Sequence, residues 1–146
     1  MARLQALTLA LSLIASLPAF ATDAAKPERK EVFGELTVYY NAFGSSLLQP
    51  AVAQASGLVV GKHIGLLNIT LLRQGKPVTG NVQGTVNDLS GRKATLAFKP
   101  VVNKGSVSYI AQFPLEQADT YTFAVNIQAL GASNRFSFNQ ELFPGP

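Results

Sequence analysis

The sequence predicts an all-β fold: an antiparallel, immunoglobulin-like sandwich of about seven strands, with a short helix inserted between strands 1 and 2. Three observations predict it. Apolar side chains recur with period two in short runs between Phe33 and Leu142, which is the alternation of half-buried strands. Gly, Asn, Asp and Pro cluster between these runs at near-regular spacing, as they do between sandwich strands. The chain has no cysteine, so a stapled mini-fold is excluded and a packed core must suffice.

The elements follow in order. Leu36, Val38 and Tyr40 alternate with Glu35, Thr37 and Tyr39 and make the first strand. Residues 64–73 make the second, with Leu67, Ile69 and Leu71 on one face. Leu66 and Leu72 fall on its other face, which is therefore partly covered. Gln74 to Pro77 is a turn. Val78, Val82, Gly84 and Val86 mark the third strand, and Gly80 and Gly84 point to a bulge or a close backbone approach. Asp88 to Gly91 turns into a fourth strand through Ala94, Leu96 and Phe98, ended by Pro100 or by Asn103-Lys104-Gly105. Val107, Tyr109, Ala111 and Phe113 give the fifth. Tyr121, Phe123, Val125 and Ile127 give the sixth, and Phe136, Phe138 and Leu142 the seventh. Tyr121 opens its strand after Glu116 and Asp119, where a tyrosine-corner residue sits; a core tyrosine with its hydroxyl at the rim is the alternative.

Residues 41–61 break the pattern. Pro50 to Ser56 reads as a short helix, with Pro50 in its first turn and Gly57 as the residue that ends it. A hairpin needs only about 2–5 connecting residues, and long connections with an element of their own are more often functional or capping.

Residues 1–21 read as a cleavable signal peptide. Arg3 supplies the charge, Leu4 to Leu17 the apolar stretch, and Ala19-Phe20-Ala21 the cut site before Thr22. The apolar stretch is too short for a membrane span of about 20 residues, and Pro18 interrupts it. No twin arginine and no lipid-accepting cysteine accompany it. Residues 22–31 read as a flexible leader and 32–146 as a single β-sandwich domain. The expected location is the periplasm, and no run in the mature chain approaches a transmembrane span.

Composition then excludes chemistries. Zero cysteine excludes thiol redox work, a cysteine nucleophile and thiolate metal sites. One histidine, and a single methionine at position 1, leave no ligand set for copper or zinc. No cofactor is expected. Losing Arg3 leaves 11 basic residues against 8 acidic ones, too mild and scattered an excess for nucleic-acid binding.

The run Tyr39-Tyr40-Asn41-Ala42-Phe43, then Ser46, Leu48, Pro50 and Gly57-Leu58, resembles the opening of an uncharacterised family of small exported bacterial proteins. Leu67-Asn68-Ile69, the block from Tyr109 to Phe113, and the ending Phe138…Phe143-Pro144 are similar to its later blocks. The resemblance covers nearly the whole mature chain. It implies compartment and domain extent, and no activity.

Two functional readings stand in competition. The first is a non-enzymatic binding or accessory module of the bacterial envelope, a monomer. Its partner contact would be Tyr40, Asn41, Phe43, Ser46, Leu48 and Pro50, joined by Leu47; the alternative is that these side chains plug the open end of the sandwich. A second contact is expected where the loops after strands 2, 4 and 6 gather. There Arg73, Lys76, Lys99, Lys104 and Arg135, with no acid among them, would meet an anionic partner such as an acidic protein or a lipid surface. The other reading is a hydrolase whose site is formed by the 41–61 segment with His63, using Ser46 and an acid such as Asp88. Gly44-Ser45-Ser46 lacks the strand–turn–helix setting of a nucleophile elbow, so a polar loop with a surface histidine is the plainer account.

Overall fold

The computed structural model describes residues 29–146. In chain order the strands are β1 (Arg29–Phe33), β2 (Leu36–Gly44), β3 (Ile64–Arg73), β4 (Lys76–Pro77), β5 (Asn81–Asn87), β6 (Lys93–Leu96), β7 (Lys99–Asn103), β8 (Ser106–Pro114), β9 (Asp119–Ala129) and β10 (Ala132–Leu142). Helix α1 (Pro50–Ser56) lies between β2 and β3. One sheet runs β1-β2-β3-β8-β7, with β4 paired to β3, and the other runs β10-β9-β5-β6. All of these pairings are antiparallel. The order β2-β3-β8-β7 facing β10-β9-β5 is the ABED-over-GFC arrangement of an immunoglobulin sandwich, and β6 adds a fourth strand to the second sheet. The expected fold class is thus borne out, helix included.

Period-two alternation decides which faces meet. Leu36, Val38 and Tyr40 of β2 and Leu67, Ile69 and Leu71 of β3 are buried in one core with Phe123, Val125 and Ile127 of β9. Aromatic rings tie the sheets together. Tyr40 lies 4.4 Å from Phe138 across the sandwich, and Phe113 meets Phe123 edge-on at 5.2 Å. Phe123 and Phe138 stack within the second sheet at 4.8 Å. The feature expected at Gly80 and Gly84 is a close approach: a methyl at either would press on the β9 backbone, at the carbonyl of Gln128 or Ala124.

More strands form than the sequence suggests. The leader expected over residues 22–31 ends early, because Arg29, Lys30 and Glu31 pair with Tyr40, Tyr39 and Val38. Charged residues conceal this strand, yet a sheet edge tolerates them. Arg29 even makes contacts there: it donates to the Asn139 carbonyl at 2.8 Å, and its guanidinium lies over the Tyr40 and Phe138 rings. Residues 1–21, expected to be a signal peptide, and residues 22–28 of the expected leader lie outside the described residues. The fourth strand expected from the sequence divides at Ala97-Phe98. Its first half is β6 in one sheet; the chain then crosses, and β7 pairs with β8 in the other. Pro100 fits because β7 is an edge strand.

Tyr121 is a tyrosine corner. It is buried near the start of β9, and its hydroxyl donates to the Gln117 carbonyl at 2.8 Å. Burial pushes the phenol above its ordinary pKa. Replacing Tyr121 by Phe deletes one hydrogen bond and little volume. It is expected to cost about 1 kcal/mol, read as a lower urea midpoint at an unchanged denaturant slope.

Candidate functional site

The two ends of the sandwich differ. Tight hairpin turns close β1–β2, β3–β4, β7–β8 and β9–β10 at one pole. The inserted segment, the Asp88 turn, the β8–β9 corner and the C-terminus gather at the other. The inserted segment is attached to this second pole at its base. Ser45 is fully buried. Its hydroxyl donates to the Gly61 carbonyl at 2.8 Å and accepts from the Gly61 N–H at 2.9 Å, so one side chain closes the loop. Gln112 repeats the device on Val59, accepting its N–H at 3.2 Å and donating to its carbonyl at 2.6 Å. The N–H groups of Leu115 and Gly145 bond the carbonyls of His63 and Lys62, both at 2.8 Å.

Within the segment, Ser45–Leu47 make one 3-10 turn and α1 follows as predicted. Gly57 ends α1 in the left-handed region, with the Leu58 N–H returning to the Ala53 carbonyl at 2.9 Å. Leu66 is buried but stands outside the main core, on the opposite face of β3 from Leu67. Its cross-strand neighbour is the Gln112 that holds Val59. Of the two leucines expected on this second face of β3, Leu66 is buried and Leu72 is half-buried.

The segment exposes apolar surface as well. Leu47 is 79% exposed, and Val52, Val59 and Val60 are exposed too. These are four of the nine large hydrophobic residues exposed among the described residues. A fifth, Phe143, is 60% exposed in the C-terminal tail next to it. Between segment and tail runs a groove of about 650 Å³ lined by Phe43, Leu47, Leu48, Leu142, Phe143 and Pro144.

The expected contact residues divide accordingly. Asn41, Phe43, Ser46 and Leu48 border this groove. Phe43 and Leu48 are half-buried, and Pro50 is exposed at the first turn of α1. Tyr40 is corrected: it is buried against Phe136 and Phe138 and presents no contact surface. Sequence reasoning missed Val59, Val60 and Phe143. The signal was available in Leu58-Val59-Val60, an apolar run without alternation inside a segment already set apart from the strands.

The triad suggested for a hydrolase is not assembled. Both Asp88 carboxylate oxygens are engaged within their own turn, by Ser90 Oγ at 2.6 Å, the Arg92 N–H at 3.0 Å and Arg92 Nε at 2.9 Å. The Nδ1 of His63 faces the Leu115 carbonyl at 3.4 Å. Ser46 is exposed, its hydroxyl lying over Gly145. A second hollow of about 380 Å³ at this pole includes Asp88, Arg92, Glu116 and Tyr121 in its lining, with Asp88 and Arg92 already bonded to each other.

The residues expected to meet an anion are only partly gathered. Arg73, Lys76 and Lys104 flank or form the hairpin turns. Lys99 and Arg135 lie along the strands, opposite Ile110 and Asn126. The expectation of an acid-free end is corrected, because Glu35, in the β1–β2 turn, pairs with Arg73 at 2.9 Å. That turn is invisible until β1 is known.

The sequence model of DUF4426, a domain of unknown function, matches residues 30–145. The crystal structure of a DUF4426 family protein from Pseudomonas aeruginosa PAO1 is similar at 42% identity, with a TM-score of 0.75, over 82% of this chain and 97% of that one. FetP of uropathogenic Escherichia coli strain F11 shares the fold at 13% identity. A copper-bound variant of it gives a TM-score of 0.59 over 78% of this chain and 93% of that one. Its as-isolated form gives 0.56 over 82% and 95%. No curated protein matches the chain in sequence. The resemblance to an uncharacterised family is therefore borne out.

The Asp88 turn carries a pH prediction. The Ser90 hydroxyl, then the Arg92 N–H and guanidinium, hold the Asp88 carboxyl below its ordinary value of 3.8 despite an opposing effect of desolvation. A lowered pKa means that the stabilisation is complete above 3.8 and is lost as pH falls through the folded-state value. An NMR titration of the Asp88 carboxyl should show a midpoint below 3.8, with the Arg92 amide shifting in step.

Proposed function

The chain belongs to the DUF4426 family, a domain of unknown function, and we propose that it acts as an exported, non-enzymatic binding or accessory module of the bacterial envelope. The export signal at residues 1–21 supports a periplasmic location, and the mature chain would work as a monomer. The observation that carries the reading is the inserted segment. It is attached through Ser45 and Gln112, yet it holds four of the nine exposed large hydrophobics of the described residues. Soluble monomers keep large apolar patches for contacts, and a fixed apolar surface binds without an ordering cost. An apolar segment of an envelope protein fits the groove between Leu47 and Phe143.

The hydrolase reading has no observation in its favour, since Asp88 is occupied by Ser90 and Arg92. The copper named for FetP stays with that protein: likeness at 13% identity speaks for fold alone. No helix of the described residues is long and apolar enough to cross a membrane.

Affinity capture from an envelope extract tests the reading. Leu47 and Val59 are exposed, so Leu47→Asp with Val59→Asp leaves the core alone, whereas Phe43→Ala would also disturb packing. Wild type should retain a discrete partner that the double variant loses by about tenfold or more. Equal retention by both proteins, or none by wild type, contradicts the proposal.

A further inference from the structure

The hairpin pole carries an inference that does not rest on the groove. Three of its turns close on two residues with positive φ at both: Gln74-Gly75 (49°, 76°), Lys104-Gly105 (48°, 81°) and Leu130-Gly131 (53°, 73°). That is the requirement of a type I′ hairpin, whose first position favours Asn, Asp or Gly. Gln74, Lys104 and Leu130 are the non-glycine residues with positive φ among the described residues. Leucine is the least expected of them. It has no polar side chain to bond locally, and the left-handed region is sterically unfavourable for it. Leu130 is nonetheless 43% exposed at its tip, so full burial does not offset the strain. Val102, beside the Lys104 turn, is 72% exposed.

Charge is distributed unevenly around these tips. Arg73, Lys76 and Lys104 stand at the hairpin pole against one acid, Glu35, which Arg73 already engages. The opposite pole holds Asp88, Glu116, Asp119 and Glu141 beside Lys62, Arg92 and Lys93. The hairpin pole is therefore left with a basic excess, from Lys76 and Lys104, while charges of both signs mix at the other. Thr79 and Leu130 border one shallow surface hollow, which sets the β3–β5 connection that carries Lys76 beside the apolar tip.

We propose that the hairpin pole docks on an anionic lipid surface, with Lys76 and Lys104 on the head groups and Leu130 and Val102 toward the acyl boundary. Basic side chains at the same pole as an exposed aliphatic turn residue, Leu130, and an exposed aliphatic strand residue, Val102, match an interface that is anionic outside and apolar beneath. An acidic protein would use the charges and leave unexplained an aliphatic side chain held in a strained conformation at the tip.

The test is co-sedimentation of the mature chain with vesicles of phosphatidylglycerol and phosphatidylcholine, and with phosphatidylcholine alone. Binding should be confined to the anionic vesicles. It should vanish in about 0.5 M salt, where charges are screened within a few ångströms. Lys76→Glu and Lys104→Glu should each weaken it by about fivefold or more. Leu130→Asn separates fold from function: asparagine suits a left-handed turn residue, so the melting temperature should hold or rise while vesicle binding falls several-fold. Absence of wild-type binding, equal binding to neutral vesicles, or undiminished binding by Leu130→Asn overturns the proposal. So does retention on polyglutamate beads without vesicle binding, which would identify an acidic protein as the partner.

Discussion

Everything in this structure depends on aromatic contacts between two sheets that no disulfide joins. Seven rings form one connected series. Phe33 meets Phe136, Phe136 and Phe138 both meet Tyr40, Phe138 stacks on Phe123, and Phe123 meets Phe113, which meets Tyr121. The series runs from the β1 edge, across both sheets, to the corner that opens β9. Each aromatic pair adds about 0.5–1.5 kcal/mol beyond the burial of its area. The rings also set the positions of backbone elements. Phe113 covers Gly65 on the neighbouring strand so closely that a Cβ there would overlap the ring. That contact fixes β3 against β8 where the inserted segment rejoins the sheet.

The segment inherits its rigidity from this packing. Ser45 follows β2, Gly61 precedes β3 and Gln112 lies on β8, three neighbouring strands of one sheet. Because the sheet holds those strands in register, the Ser45 and Gln112 side chains can attach the segment while Leu47, Val52, Val59 and Val60 stay exposed. The packing that stabilises the sandwich thus also fixes the prospective contact surface.

Local chemistry was legible in the sequence, and long-range pairing was not. Helix α1 was readable because Pro50 and Gly57 mark its ends by their own backbone limits. Tyr121 was readable because its partner is the carbonyl four residues upstream. Strand β1 was hidden because Arg29, Lys30 and Glu31 carry no apolar alternation; only the β2 partner makes them a strand. The split between β6 and β7 was hidden because Leu96 and Phe98 keep period two across a crossover. For the site, Phe43 and Leu48 were found from composition. The role of Ser45 was not, since nothing local predicts a bond sixteen residues away. Tyr40 was misplaced for the converse reason: its alternation with Val38 was correct, but a core position was read also as a contact.

The central claim is that the inserted segment is a fixed apolar surface and not a loose loop. Native-state amide exchange measures this directly at Val59 and Gly61, whose N–H groups bond side chains of distant residues. Protection at both amides comparable to that of neighbouring β3 amides is the predicted result, with Ser45→Ala selectively releasing Gly61. Exchange at the rate of an unstructured peptide at both positions in the wild-type protein would contradict the account.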